Sequence, residues 1–187
     1  MPMTTAIPGY IAGTWDIDPV HSDVSFTARH MMVSKVRGHF DTFEGVVVTA
    51  EDPLGSQVTA TIDLTSINTG NDQRDEHIRS ADFFDTEQHQ SMTFRSTGLR
   101  PDGDQFVLTG DLTLRGVTRP VDLAMEVNGF GPDAYGGNRA GFSATGQINR
   151  QDFGVSFNAA LETGGVVVSD KIQILIEAEL VLRQPGA

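Results

Sequence analysis

The stretch from Gln105 to Val127, QFVLTGDLTLRGVTRPVDLAMEV, decides the architecture. Phe106, Leu108, Gly110, Leu112 and Leu114 fall on one side of an extended chain, with Val107, Thr109, Asp111 and Thr113 on the other. Side chains of a β-strand alternate between two faces, so this is a strand with one buried face. Arg115-Gly116 interrupts the pattern, and Val121, Leu123, Met125 and Val127 then resume it against Asp122, Ala124 and Glu126. Two alternating runs around a glycine-containing turn describe an antiparallel hairpin.

The same period recurs outward in both directions. Val24, Phe26, Ala28 and His30 form one inner face, and Val58, Ala60, Ile62 and Leu64 another. Met92 with Phe94, then Phe142, Ala144, Gly146 and Ile148, and finally the even-numbered residues Ile172 to Leu182 continue the series. Turn signals at Asp52-Pro53-Leu54-Gly55, Pro101-Asp102-Gly103-Asp104 and Tyr135-Gly136-Gly137-Asn138 separate the runs, so most consecutive strands pair as hairpins. One segment departs from the pattern: Asn71 to Ser80 is polar and rich in helix formers, with Asn71 or Thr69 as its cap. It reads as a short helix across a barrel end, continued by Phe83-Phe84. Phe153 to Gly165 reads as a second flap.

This pattern fits an all-β fold, either a sandwich or an antiparallel barrel of about eight strands, and the helix position favours the barrel. We assign residues 1–12 to an N-terminal extension, 13–183 to the barrel and 184–187 to a tail. The inner faces mix large side chains with Ala28, Gly38, Ala60, Gly110, Ala144, Gly146 and Ala178. Such a lining leaves room for one ligand, or else eases strand coiling around a filled core. If the cavity is real, Phe26, Ala28, His30, Phe40, Ile62, Phe83, Phe94, Phe142, Ala144 and Ile174 line it.

Composition narrows the function. With 13 Lys+Arg against 25 Asp+Glu, the net charge of -12 opposes nucleic acid and, at long range, anionic bilayers. The absence of cysteine removes disulfides and thiolate chemistry. No apolar run reaches the length of a membrane-spanning helix. Read with Met1 as the start, the N-terminus lacks an export signal, which gives a cytoplasmic expectation.

The spacing of His21, His30, His39, His77 and His89 gives little support to a metal site, since no pair shows a zincin's i, i+4 spacing. His30 shares the inner face of its strand, as a hydrogen-bonded core histidine or a ligand contact. Arg74 and His77 lie three apart on the helix, where they face a polar headgroup at the mouth or pin the helix to the rim with Asp75, Asp82 and Arg150. No nucleophile elbow or phosphate loop is present, so nothing in the spacing requires an enzyme.

Several motifs together resemble the YceI-like, lipocalin-like family. They are Trp15-Asp16-Ile17-Asp18 with His21-Ser22, Phe26 and His30; Gly38-His39-Phe40; and Phe43-Glu44-Gly45. Ser66 to Gly70, Arg74 to Ile78, Ser80 to Asp85, Gly110 to Thr118 and Gly146 to Gly154 continue them in order. The resemblance covers about Gly13 to Leu182. It implies a barrel that binds and carries or stores an isoprenoid lipid or quinone, without metal, catalysis or any cofactor beyond that ligand. It also implies frequent homodimers, and a carrier of this kind would contact membranes transiently. Many members are exported, from which this chain departs. The competing readings are an enzyme acting on a bound lipid with His30 or His77 as general base, and a partner protein using its acidic surface.

Overall fold

The computed structural model describes residues 6–31, 33–158 and 168–184. Its strands are β1 (Gly13–Ile17), β2 (Asp23–His30), β3 (Ser34–Phe40), β4 (Phe43–Thr49), β5 (Gln57–Asp63) and β6 (Ile67–Asn68). Helix α1 (Asp72–Arg79) follows, then β7 (Ser91–Asp102), β8 (Gln105–Leu114), β9 (Val117–Pro132), β10 (Asn138–Asn149) and β11 (Lys171–Leu182).

All pairings are antiparallel and run β1-β4-β5-β7-β8-β9-β10-β11, with β11 returning to β1 to close an eight-stranded barrel. The sandwich alternative is thereby set aside. Three staves are broken near one level: β2 continues β1, β3 continues into β4, and β6 continues β5. Consequently β11 pairs with β1 through Leu180–Leu182 and with β2 through Gln173–Glu177.

The turns explain the closure. Arg115 and Gly116, at φ 52° and 76°, form a two-residue link between Leu114 and Val117. Two successive positive φ values give the turn whose twist matches the strands it joins. Gly103, at φ 60°, does the same work between β7 and β8.

The inner faces are those read from alternation. Phe106, Leu108, Leu112 and Leu114 are buried, as are Val121 and Leu123 on the next strand. The small residues divide into two groups. Ala28, Ala60, Ala144 and Ala178 border the central cavity. Gly38 and Gly110 instead make space for neighbouring rings, because a Cβ there would collide with Phe26 and Phe94 respectively, and Gly146 does so for Leu123. These glycines accommodate protein side chains rather than open the space assigned to a ligand.

The two barrel ends differ. At the lower end Trp15, Ala140 and Leu180 are almost wholly buried, with Ile11, Phe130, Phe142 and Leu182 packed around them. The upper end carries α1, Phe83, Phe84 and the short turn Arg150–Phe153. Of the expected flap, 153–158 lie beside this turn; 159–165 lie outside the described residues. No helix among the described residues is long and apolar enough to cross a membrane.

Candidate functional site

The barrel encloses a cavity of about 750 Å³ whose wall is almost entirely hydrocarbon. Twelve-residue strands such as β10 and β11 rise about 40 Å, and tilted as barrel strands are, they give an interior about 30 Å long. The shape is therefore a tunnel. At about 30 Å³ per water-sized group, it has room for on the order of 25 carbons.

All ten residues assigned to the lining border this space: Phe26, Ala28, His30, Phe40, Ile62, Phe83, Phe94, Phe142, Ala144 and Ile174. Met92, Leu99, Val121, Met125 and Ile176 join them from the same inner faces. No described buried side-chain nitrogen or oxygen lacks a hydrogen-bond partner. The wall thus offers mainly dispersion and exclusion of water, and the His30 side chain borders the cavity with no hydrogen bond to another described residue.

The floor was not legible in the sequence. Ile7 and Tyr10, from the segment read as an extension, reach the lower end of the cavity. The Tyr10 ring packs at a tilt against Phe130, with centroids 5.3 Å apart, and its hydroxyl donates to the carbonyl of Ala50. Gly9 passes directly over the Phe130 carbonyl at φ 75°.

At the upper end, α1 starts where Asn71 accepts from the Arg74 amide at 2.9 Å, the capping geometry that satisfies an orphan helix donor. Asp75 is 3 % exposed and accepts from both the amide and the hydroxyl of Thr69. Arg74 donates through Nε to the Thr69 hydroxyl (2.8 Å) and through Nη2 to the Thr69 carbonyl (2.7 Å). His77 Nε2 lies 2.9 Å from Asp82, and its ring packs edge-on against Phe83 and Phe157, each at 5.1 Å. Arg74 and His77 both border the cavity, and their bonds to Thr69 and Asp82 tie the helix to the segments on either side of it. Neither the His30 nor the His77 ring is hydrogen-bonded to a hydroxyl among the described residues.

Arg150 is the strongest anchor of the mouth. The residue is 3 % exposed, and its guanidinium donates to the carbonyls of Val155 and Phe157 (2.8 Å each), Ser169 (3.0 Å) and Val168 (3.3 Å). Asp170 stands 3.4 Å away. Burial lowers the pKa of this guanidinium from its ordinary value, and Asp170 opposes that shift. Only arginine presents enough donors to gather so many carbonyls of an irregular segment. Arg115 adds a second tie, donating to the carbonyls of Gly154 and Ala81 at 2.9 Å each.

Outside the cavity, Asp18, His21 and Glu179 bring one ligand atom each within 4.8 Å of one another, a grouping that histidine spacing could not disclose. Arg139 Nη1 already binds both carboxylates, at 2.9 and 2.7 Å, so a resident cation offsets part of their charge.

Comparison with known proteins agrees with this geometry. The family model of the YceI-like domain matches residues 15–180. Protein YceI of Escherichia coli O6:H1 is 42 % identical over 148 residues, covering 78 % of each chain. Among solved structures, Burkholderia cenocepacia BcnA superposes with a TM-score of 0.76 at 24 % identity, over 87 % of this chain and 98 % of its own. A polyisoprenoid binding domain from Saccharophagus degradans superposes with a TM-score of 0.66 at 17 % identity, over 90 % and 98 %.

Proposed function

The chain belongs to the YceI-like family, and on that premise we propose that its barrel binds and carries one long apolar chain of isoprenoid or quinone type. The observation that carries this reading is the tunnel itself, about 750 Å³ walled by aliphatic and aromatic side chains. The Saccharophagus domain shares the barrel, and its polyisoprenoid binding supports the ligand class.

Burying a chain of about twenty carbons contributes on the order of 16 kcal/mol relative to water, before ordering and association costs. A bilayer offers a similar gain. Exchange between membrane and barrel is therefore nearly balanced, as a carrier requires, and the tunnel's task is to shield the chain from water in transit. Selectivity then rests on tunnel length, cross-section and whatever the mouth presents to the head.

Native mass spectrometry and organic extraction of protein purified without detergent test this directly. A stoichiometric apolar adduct is expected. Ala144→Trp places an indole in the tunnel and should abolish the adduct while the barrel still melts cooperatively. A wild-type barrel that remains empty when offered isoprenoid lipids or quinones would overturn the reading.

A further inference from the structure

The hairpin of β2 and β3 differs in charge from the rest of the molecule. From Val24 to Phe40 the sequence contains no aspartate or glutamate, although the chain as a whole carries -12. Arg29, Lys35 and Arg37 all lie exposed on the outer face of this hairpin. Arg29 stands directly opposite Lys35 in the ladder, and Arg37 follows one step along the same face, opposite Thr27. Like charges placed across a ladder repel, so the pairing of Arg29 with Lys35 costs the fold stability rather than adding to it. None of the three pairs with a carboxylate among the described residues. Asp170 on the adjoining segment is already shared between Arg150 and Gln151.

The tip adds apolar surface to these cations. Val33 is 85 % exposed and Met31 43 %, with Met31 held at φ 52° where the chain reverses. The opposite face of the same hairpin supplies Phe26, Ala28, His30 and Val36 to the cavity wall. The cationic surface, the apolar tip and the tunnel mouth therefore belong to one element.

We propose that this hairpin docks the barrel onto an anionic lipid bilayer, with Met31 and Val33 entering the headgroup region and Arg29, Lys35 and Arg37 meeting lipid phosphates. The ligand class rests on the function proposed above; the docking surface rests on the hairpin alone. Apolar side chains beside clustered cations are the signature of interfacial membrane binding, whereas an acidic protein partner needs only the cations. The overall negative charge does not prevent contact, because charges more than about 8 Å from the surface are largely screened at physiological salt. Each near-surface cation strengthens vesicle partitioning about fivefold, so the three together contribute on the order of a hundredfold.

Flotation of the full chain with phosphatidylcholine vesicles, and with vesicles in which one third of the lipid is phosphatidylglycerol, tests the proposal. The protein should float only with the anionic vesicles, and less as salt rises. Combined Arg29→Gln, Lys35→Gln and Arg37→Gln should abolish flotation, and Met31→Ser with Val33→Ser should weaken it about tenfold. Unchanged melting of both variants would separate docking from misfolding. Wild-type protein that ignores anionic vesicles overturns the proposal, as does a charge variant that floats like the wild type. Equal binding to soluble polyglutamate, insensitive to the Met31 and Val33 changes, would also overturn it by assigning the patch to an acidic macromolecule. Adduct content of the same preparations keeps the two readings apart: an adduct without flotation removes docking alone, and flotation without an adduct removes the proposed cargo alone.

Discussion

The two ends of this barrel are built from different chemistry. The lower end is an aromatic plug, in which Trp15 is wholly buried and Phe130 contacts Tyr10, Trp15 and Phe142 at ring separations of 5.3 to 5.8 Å. The upper end is an assembly of short irregular pieces held by side chains on backbone carbonyls, and its aromatic residues Phe83 and Phe157 remain partly exposed. Packing stabilises one end, and directional hydrogen bonds position the other. The contrast suits a tunnel with one fixed stop and one entrance.

Truncation at the plug should carry the largest cost. Trp15→Ala removes a fully buried indole and its 2.9 Å hydrogen bond to Thr49, and should destabilise the fold by about 4 kcal/mol in denaturant unfolding. Next in size is the mouth anchor. Arg150→Met leaves several buried carbonyls without donors and should cost about 3 kcal/mol. If it cost no more than a surface change, the mouth would not be organised by this guanidinium.

Acid should act on the outer wall near the break between β1 and β2. The hydrogen bond with His21, followed by that from Arg139, lowers the pKa of Asp18 from 3.8 to about 2. A carboxylate depressed in the folded state adds stability that is fully present above its unfolded pKa and lost as pH falls through the folded one. The loss should therefore run from about pH 4 down to about 2, amount to on the order of 1 kcal/mol after solvent screening, and shrink in Arg139→Gln. Thermal melts across that range check it. The smallest stability effect is expected at the entrance itself. Phe83→Ala should shift unfolding by less than about 1 kcal/mol while shortening the residence time of any bound chain, as measured by competitive extraction. A cost matching that of Trp15→Ala would erase the distinction between the ends.

The difference between the ends also explains what could be read from the sequence. A barrel wall couples burial to a period of two, so Phe106 to Leu114 and Phe142 to Ile148 disclosed their inward faces directly. Asn71 and the polar run after it disclosed the helix through capping chemistry. The floor obeys no period: Ile7 and Tyr10 act from a segment whose position depends on Phe130 and Ala50, both distant in sequence. Arg150 could be named as a rim residue, yet its partners at Val155, Phe157, Val168 and Ser169 come from irregular backbone that no pattern marks. Glycine is ambiguous for a related reason, since Gly110 as a vacancy and Gly110 as a seat for Phe94 leave the same trace in one strand.

The seam between β1 and β11 sets the order in which the barrel comes into being. Trp15 pairs with Leu182, so the ring closes between the first strand and the last. Hairpins such as β8 with β9 form from neighbouring residues, but the closing ladder must bring together nearly the whole length of the chain. Folds dominated by such distant pairings form in about milliseconds to seconds, orders of magnitude slower than helical bundles. During synthesis Trp15 emerges early and waits for Leu180, so the indole that seals the finished floor is exposed apolar surface until the C-terminal strand arrives.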